Sequence, residues 1–421
     1  MGIGGPVIPM IGDQFGNLRF FASYRSARTM YMIPLATNDY RDYTGQLKVT
    51  ADITGGMKIM FQGLQGQQYG TTNSRTGLPG FFTSPGSIAR EITVGGSFAD
   101  SRMYSDAYWS PSKVNTSSYG TKFTHILSSV TSYEISINRV VSQYQTNPGR
   151  SRNTDSVYSF GNGYTTDEGP FGYTFNPTTG VNGLRMSIGF SNSRDSSKVA
   201  ASTVRFDFNS QIDKYDQIKV GAEFTYTQND VNYASIDPYL PRSGIWSKWS
   251  TTPIRGALYA QDKIEYEGMI ANIGVRMDYS DPRGTWYEYS PYDKALSPEF
   301  AAGLDTILAR VQIKKSLTFS PRIGIAFPVT EYSKLFFNYG HFRQMPTPEN
   351  LYLIRRSTFD QSVTRLANPN NPLPKTVAYE LGYEHSLFEQ YLIRVAGYYK
   401  DVTDQPALVT YVSRDTKVNY T

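Results

Sequence analysis

The 421-residue chain contains no cysteine, which leaves no disulfide framework and no thiolate metal site. Its three histidines, His125, His341 and His385, stand singly on predicted strands, with no His/Cys/Glu cluster at metal-ligand spacing. They read as solvated or lumen-edge residues, and no metal or other cofactor is expected. Gly-x-Ser-x-Gly and His-Glu-x-x-His are both missing. FGNGYTTDEG (160–169) has glycines without the strand-then-helix setting of a phosphate loop. No enzymatic activity is expected. The net charge is only +5 and no block of Lys/Arg forms a patch, so nucleic acid is not an expected partner. MGIGGPVIPM lacks the basic-then-apolar pattern of a signal peptide, which leaves cytoplasmic retention or an internal fragment. No run of about 18 apolar residues occurs, so no transmembrane helix is expected. The mean hydropathy of -0.42 still permits a transmembrane barrel, whose strands need only every second residue apolar.

What the chain has in quantity is aromatic residues and turns: Tyr 33, Phe 23 and Trp 4, with Gly 36 and Pro 23. Rings pack well on pleated surfaces and favour strands. Period-two alternation recurs along almost the whole chain, in stretches of about nine to eleven residues, enough to cross a bilayer at a tilt. In GQLKVTADIT, Leu47, Val49, Ala51 and Ile53 alternate with Gln46, Lys48, Thr50 and Asp52. In SKLFFNYGHFRQMPTPENLY (333–352), Leu335, Phe337 and Tyr339 oppose Lys334, Asn338 and Gly340, and the pattern breaks between Arg343 and Met345.

The connections fall into two classes that strictly alternate. Short turns are expected at 53–57, 127–132, 212–217, 265–269, 328–333 and 386–390, and long loops at 26–43, 68–119, 145–201, 229–252, 280–316 and 344–375. An up-and-down barrel gives this pattern when one rim faces a confined compartment and the other the outside. GLRMSIGFSN (183–192) also alternates, but as a spanning strand it would break the alternation, so it is assigned to a hairpin or extension within an outer loop. Thirteen spanning strands result, from LRFFASYR (18–25) to 391–402, both running outward. An odd number cannot close a bacterial barrel, so the C-terminus is expected to be truncated. A soluble sandwich or propeller would also alternate. No repeat of blade length is visible, however, and loops of this length are uncommon in compact soluble folds.

Three segments resemble the barrel of TonB-dependent outer-membrane receptors in order and spacing: GALYAQDKIEYEGMIANIGVRMDY (256–279), SPRIGIAFPVTEYSKLFFNYGHFRQMPTPENLY (320–352) and NPLPKTVAYELGYEHSLFEQYLIRVAGYYKDV (371–402). The opening GGPVIPMIGDQFGNLRFFASYR (4–25) resembles the junction of plug and first barrel strand, particularly in the Oar-like group, whose N-termini often carry a carboxypeptidase-regulatory-like domain. The resemblance implies an all-β fold: an antiparallel up-and-down transmembrane β-barrel, here incomplete, with thirteen of about 22 strands. Residues 1–17 would be the plug-to-barrel junction and 18–421 the partial barrel. It further implies the outer membrane of a Gram-negative bacterium, contact with outer-membrane lipid, and uptake of a scarce small ligand. Energy would come from the TonB complex acting through a plug not seen in this sequence. A structural or adhesive barrel is the second reading, and a secreted glycan-binding β-protein the third.

Within the strands, Asp207 is expected near Arg205, Asp278 near Arg276, and Glu380 across from Arg394, as solvent-screened pairs of a watery interior or as contacts to a plug. Tyr398, Tyr399 and Tyr279 at strand ends fit an aromatic girdle. All four tryptophans fall in outer loops, none on a predicted strand, with Tyr104, Tyr108, Tyr287 and Tyr289 close in sequence. Tyr104, Trp109, Trp246, Trp249, Trp286 and Tyr287 are therefore the candidate ligand-contact residues. Interface anchoring or packing of loop on loop would use the same residue types. Arg242, Lys248, Arg255 and Arg283 nearby could attract an anion.

Overall fold

A computed structural model describes the chain apart from residues 7–15, 34, 73–79, 95–108, 148–157, 160–164, 167–192, 236–243, 298–299, 301–302, 358–361, 411–418 and 421. Thirteen long strands follow one another: β1 Arg19–Met30, β2 Asp39–Thr54, β3 Met57–Thr71, β4 Pro111–Ile126, β5 Thr131–Thr146, β6 Lys198–Gln211 and β7 Asp216–Ser235. They continue with β8 Ile254–Tyr266, β9 Met269–Asp281, β10 Ser316–Thr330, β11 Ser333–Arg343, β12 Lys375–Leu387 and β13 Tyr391–Thr403. Each pairs antiparallel with the next, giving one up-and-down sheet. A short strand, Gly2–Pro6, lies antiparallel along the other side of β1. Among the described residues β13 pairs only with β12. GLRMSIGFSN lies outside the described residues, and β5 pairs directly with β6, so the strand order holds without it.

The turns at one rim are tight because their residues allow it. Glu267 and Gly268 both have positive φ, 47° and 84°, between the closing pair Tyr266 and Met269. This is the two-residue hairpin geometry whose twist matches that of the flanking strands. The other rim carries the long connections. All the long strands but β11, which has 11 residues, exceed the nine to eleven read from periodicity: β7 has 20 and β2 has 16. Their outer ends, such as Gln228–Ser235, keep the ladder hydrogen bonds after the apolar face has ended. Hydropathy alternation marks only the part of a strand that faces lipid, whereas backbone pairing has no such limit. The first outer connection accordingly shrinks from 26–43 to 31–38.

Register sets the two faces, since directly paired residues lie on the same side of a sheet. Phe337 pairs with Leu381, and Ile325 with Phe337, so Ile325, Phe337 and Leu381 share one apolar, exposed face with Leu335, Tyr339 and Tyr383. Lys334, Asn338 and Gly340 take the other, as the alternation predicts. Tyr339, Tyr379 and Tyr399 form a ladder across β11, β12 and β13 on the apolar face, with ring centroids 5.1 and 6.3 Å apart. Phe123, Tyr133 and Phe206 form a second aromatic band near the tight turns. Two expectations need correction. Tyr398 pairs with Glu380 and lies on the polar face, because adjacent strand residues cannot both face outward. The histidines lie on the apolar face, each beside a tyrosine: His125 Nδ1 is 3.1 Å from the Tyr133 hydroxyl, His341 Nε2 is 2.6 Å from that of Tyr339, and His385 stacks on Tyr383.

Candidate functional site

The polar face of the sheet forms the lower part of the site. A cavity of about 740 Å³ is lined from every strand between β6 and β13, including Arg205, Lys219, Arg276, Arg322, Glu380 and Lys400. One cavity touched by eight consecutive strands means that the polar face is the concave one. Arg205 pairs with Asp207 at 2.7 Å, and Arg276 with Asp278 at 2.8 Å, both as expected. Arg394 stands opposite Glu384 in register and bridges Glu384 and Glu380 at 3.5 and 3.4 Å. Glu384 also takes Lys334 at 2.7 Å. Lys219, Arg322 and Lys400 have no ion-pair partner among the described residues. Arg322 lies over the Phe342 ring and Lys400 near that of Tyr398. The lining is therefore richer in free cations than in free carboxylates.

Above this face the described residues of the outer connections build three apolar clusters, a small one of Tyr233, Leu353 and Ala367 and two larger cores. The smaller of these two cores covers β1 to β4 and joins Tyr31, Leu35, Tyr40, Phe82, Ile88 and Trp109. Ile88 comes from the helix α1, Pro85–Val94. Trp109 is buried edge-on against Phe82, 5.0 Å between centroids. The Tyr31 hydroxyl donates to the Phe82 carbonyl at 2.8 Å and accepts from the Thr71 N–H at 3.2 Å, tying the first outer connection to the third strand. The Asp39 carboxylate is held by Arg28 and, at 2.8 Å, by Arg41.

The larger core draws on the connections that follow β7, β9 and β11. Trp249, Tyr352 and Trp286 meet in series, the first pair tilted and the second edge-on, with centroids 5.9 and 6.2 Å apart. Trp286 Nε1 donates to the Ala367 carbonyl at 3.0 Å, which joins the 282–315 and 344–374 connections. Burial pushes the Tyr352 hydroxyl up to about 12. Tyr287 donates its hydroxyl to Asp305 at 2.6 Å, and Arg310 reaches the same carboxylate at 2.9 Å while lying over the Tyr287 ring. Arg356 approaches Asp305 at 3.6 Å and covers the ring of Trp246. The Tyr287 hydrogen bond, helped by the two arginines, holds the Asp305 carboxyl below its usual range.

A small sheet supports this core. The outer end of β7 takes Ser193–Asp195 on one side and Ile245–Thr251 on the other. Ile245–Thr251 then pairs with Ile354–Ser357, which pairs with Val363–Leu366. Trp246 and Trp249 therefore lie on a strand, as does Trp286 on Thr285–Tyr287, contrary to the expectation that no tryptophan does. These strands are too short for periodicity to reveal them. The structure brings Trp249, Trp286 and Tyr287 together in the larger core, leaves Trp109 in the other, and sets Trp246 on the opposite face of its strand from Trp249, under the Arg356 guanidinium. Trp249, Trp286 and Tyr287 are buried, and Trp246 is half-buried. Tyr104, Tyr108, Arg242 and most of FGNGYTTDEG lie outside the described residues. Asp305, Arg310 and Arg356, which organise the core, gave no signal in sequence because the group is assembled across separations of 5 to 51 residues.

A comparison with curated protein sequences finds no match. In fold, the chain is similar to the ferric yersiniabactin uptake receptor FyuA of Yersinia pestis, at TM-score 0.58 and 11% identity, covering 96% of this chain and 52% of that one. It is similar also to the FrpB iron transporter of Neisseria meningitidis, at 0.57 and 11%, with 96% and 53% covered. The hemophore receptor HasR of Serratia marcescens gives 0.56 and 13%, with 96% and 54% covered. The chain thus spans about half the length of these receptors. The profile of the TonB dependent receptor-like, beta-barrel family matches residues 39–420, and the chain belongs to that family.

Proposed function

We propose that this chain is the capturing and conducting wall of an outer-membrane uptake receptor in a Gram-negative bacterium. The observation that carries the reading is the continuity of an apolar outer face, a concave polar face with spare cations, and two built loop cores on the long-loop rim. A ligand would be received between the loop cores and passed along the polar face. Energy would come from TonB through a plug domain, with residues 1–17 leading from that plug into the barrel. We place the parent protein in the Oar-like group on the resemblance of residues 4–25. A carboxypeptidase-regulatory-like domain would then precede the plug. Its task on this reading is binding and passage of the ligand. Trp246, outside the larger core and half-buried beneath Arg356, is the tryptophan with surface left for a ligand, and Arg356 would serve to hold it.

Deleting the gene and deleting TonB in the source organism tests this. Loss of the same nutrient uptake in both strains is expected, with the protein recovered in the outer-membrane fraction. Recovery in the soluble fraction, or uptake indifferent to TonB, would refute it.

A further inference from the structure

The small sheet over the outer rim holds a feature that packing does not explain. Arg355 and Arg365 stand directly opposite each other on Ile354–Ser357 and Val363–Leu366. Like charges directly opposed in a sheet repel. In the same cap Arg310 and Arg356 share Asp305, and Lys315 has Asp281 at 3.1 Å, although Arg356 Nε is itself buried without a hydrogen-bond partner. Arg355 and Arg365 have no ion pair among the described residues, and the Nε of each is buried with no hydrogen-bond partner. On the other side of Arg355, Ser247 is its direct cross-strand neighbour. Ser247 is completely buried, and its hydroxyl has no partner. Two residues along the same strand, and so on the same face, the buried Trp249 Nε1 also lacks an acceptor.

These four groups can all donate, and two of them are cationic; the unmet acceptors of the sheet, Asp195 Oδ2 and Asn229 Oδ1, are on its other strands. Buried donors left without acceptors are costly, and guanidinium groups match oxyanions in bidentate geometry. We infer that Arg355 and Arg365, with Ser247 beside them, form a binding site for an oxyanionic group, a carboxylate or phosphate, carried by a soluble ligand. The inference rests on the receptor reading and adds the ligand's chemical class. The anion would relieve the repulsion between the two guanidinium groups and supply the missing acceptors in one step. Lys248, exposed on the opposite face of the same strand, takes no part.

The test uses the full-length protein extracted in detergent, titrated with inorganic phosphate and with citrate against chloride at matched ionic strength, followed by tryptophan fluorescence and thermal unfolding. Phosphate or citrate is expected to raise the unfolding temperature. Arg355→Gln and Arg365→Gln should each weaken binding by about tenfold or more, the scale of one lost charge-assisted contact. Lys248→Gln, which removes the same charge, should leave it unchanged. In the absence of anion, Arg355→Gln should unfold no earlier than the parent, since it removes a repulsion; an arginine needed only for packing would lower that temperature. Absence of binding at millimolar phosphate and citrate, or variants that bind like the parent, would overturn the site. Vesicles of phosphatidylglycerol separate the sources, because a response to these alone would assign the anion to lipid and overturn the soluble ligand. Membrane fractionation of the same variants reports on the receptor reading independently.

Discussion

Phe336 on β11 lies directly opposite Gly382 on β12, and its ring occupies the place a side chain at Gly382 would need: an added Cβ would come within 2.1 Å of it. The same arrangement recurs where Tyr259 covers Gly221, at 2.3 Å. Both pairs are on the polar face, where a concave surface leaves little room for two large neighbours. Arg394 then lies over the Phe336 ring, 4.6 Å away, and reaches from it to Glu380 and Glu384. Gly382→Ala should therefore turn the ring out of its place and disturb the carboxylates beyond it. The expected loss is about 1–3 kcal/mol, as for other overpacked sites. It is read as a lower unfolding temperature, with Gly397→Ala, which meets nothing within 4 Å, as the control.

Trp286 joins two outer connections through a single buried hydrogen bond and an edge-on contact with the Tyr352 ring. Trp286→Ala should cost about 3–5 kcal/mol, for the lost ring and the cavity left behind. Trp286→Phe keeps a ring and leaves the Ala367 carbonyl without its donor, and should cost about 1–3 kcal/mol. The loss should be local. Limited proteolysis is expected to cut within 282–315 and 344–374 in the alanine variant while the thirteen strands stay protected. Cleavage throughout the chain would mean that the cap and the sheet fold as one cooperative unit.

The cap should also loosen in acid. Asp305 has its carboxyl held below the usual range by the Tyr287 hydroxyl, with Arg310 and Arg356 assisting. A carboxyl depressed in the folded state binds fewer protons there than when unfolded. Its contribution is thus complete above the ordinary carboxylate range and is lost as pH falls through the depressed value. The group is more than half exposed, so solvent screening keeps the effect small. Fluorescence of the neighbouring tryptophans, followed from neutral pH downward, should change in this window. Asp305→Asn should remove the change, and an identical transition in that variant would assign it to another group.

The sheet was legible in sequence because lipid on one side and water on the other impose opposite demands on adjacent residues, and Phe337 with Asn338 records both. The turns were legible because Glu267 and Gly268, or the three residues Phe388, Glu389 and Gln390, must reverse the chain in a few steps. The outer cap was not legible. Its strands are three to seven residues long, and its core joins Trp249 to Tyr352 and Trp286 to Ala367 across wide separations in sequence. The tryptophans could be singled out by type, but type alone does not separate a ring that packs loops from one that meets a ligand. Arg355 and Arg365 drew no notice for the same reason: each is ordinary by itself, and only strand pairing sets them face to face.

Phe337 and Asn338 also give the sharpest test of the architecture, since they are adjacent on β11 and differ only in the face they present. Phe337 is exposed on the apolar face beside Ile325 and Leu381, whereas Asn338 donates to Glu380 at 3.0 Å on the polar face. An arginine on the lipid side of a barrel strand costs about 2–4 kcal/mol near the bilayer midplane and little in an aqueous interior. Phe337→Arg should therefore reduce the amount of protein assembled in the outer membrane. Asn338→Arg should assemble normally, since Glu380 can accept the new charge. Recovery from outer-membrane fractions and resistance to unfolding in cold detergent would measure both variants together. Equal assembly would mean that Phe337 does not face lipid, and would remove the main physical ground for reading this face as a membrane surface.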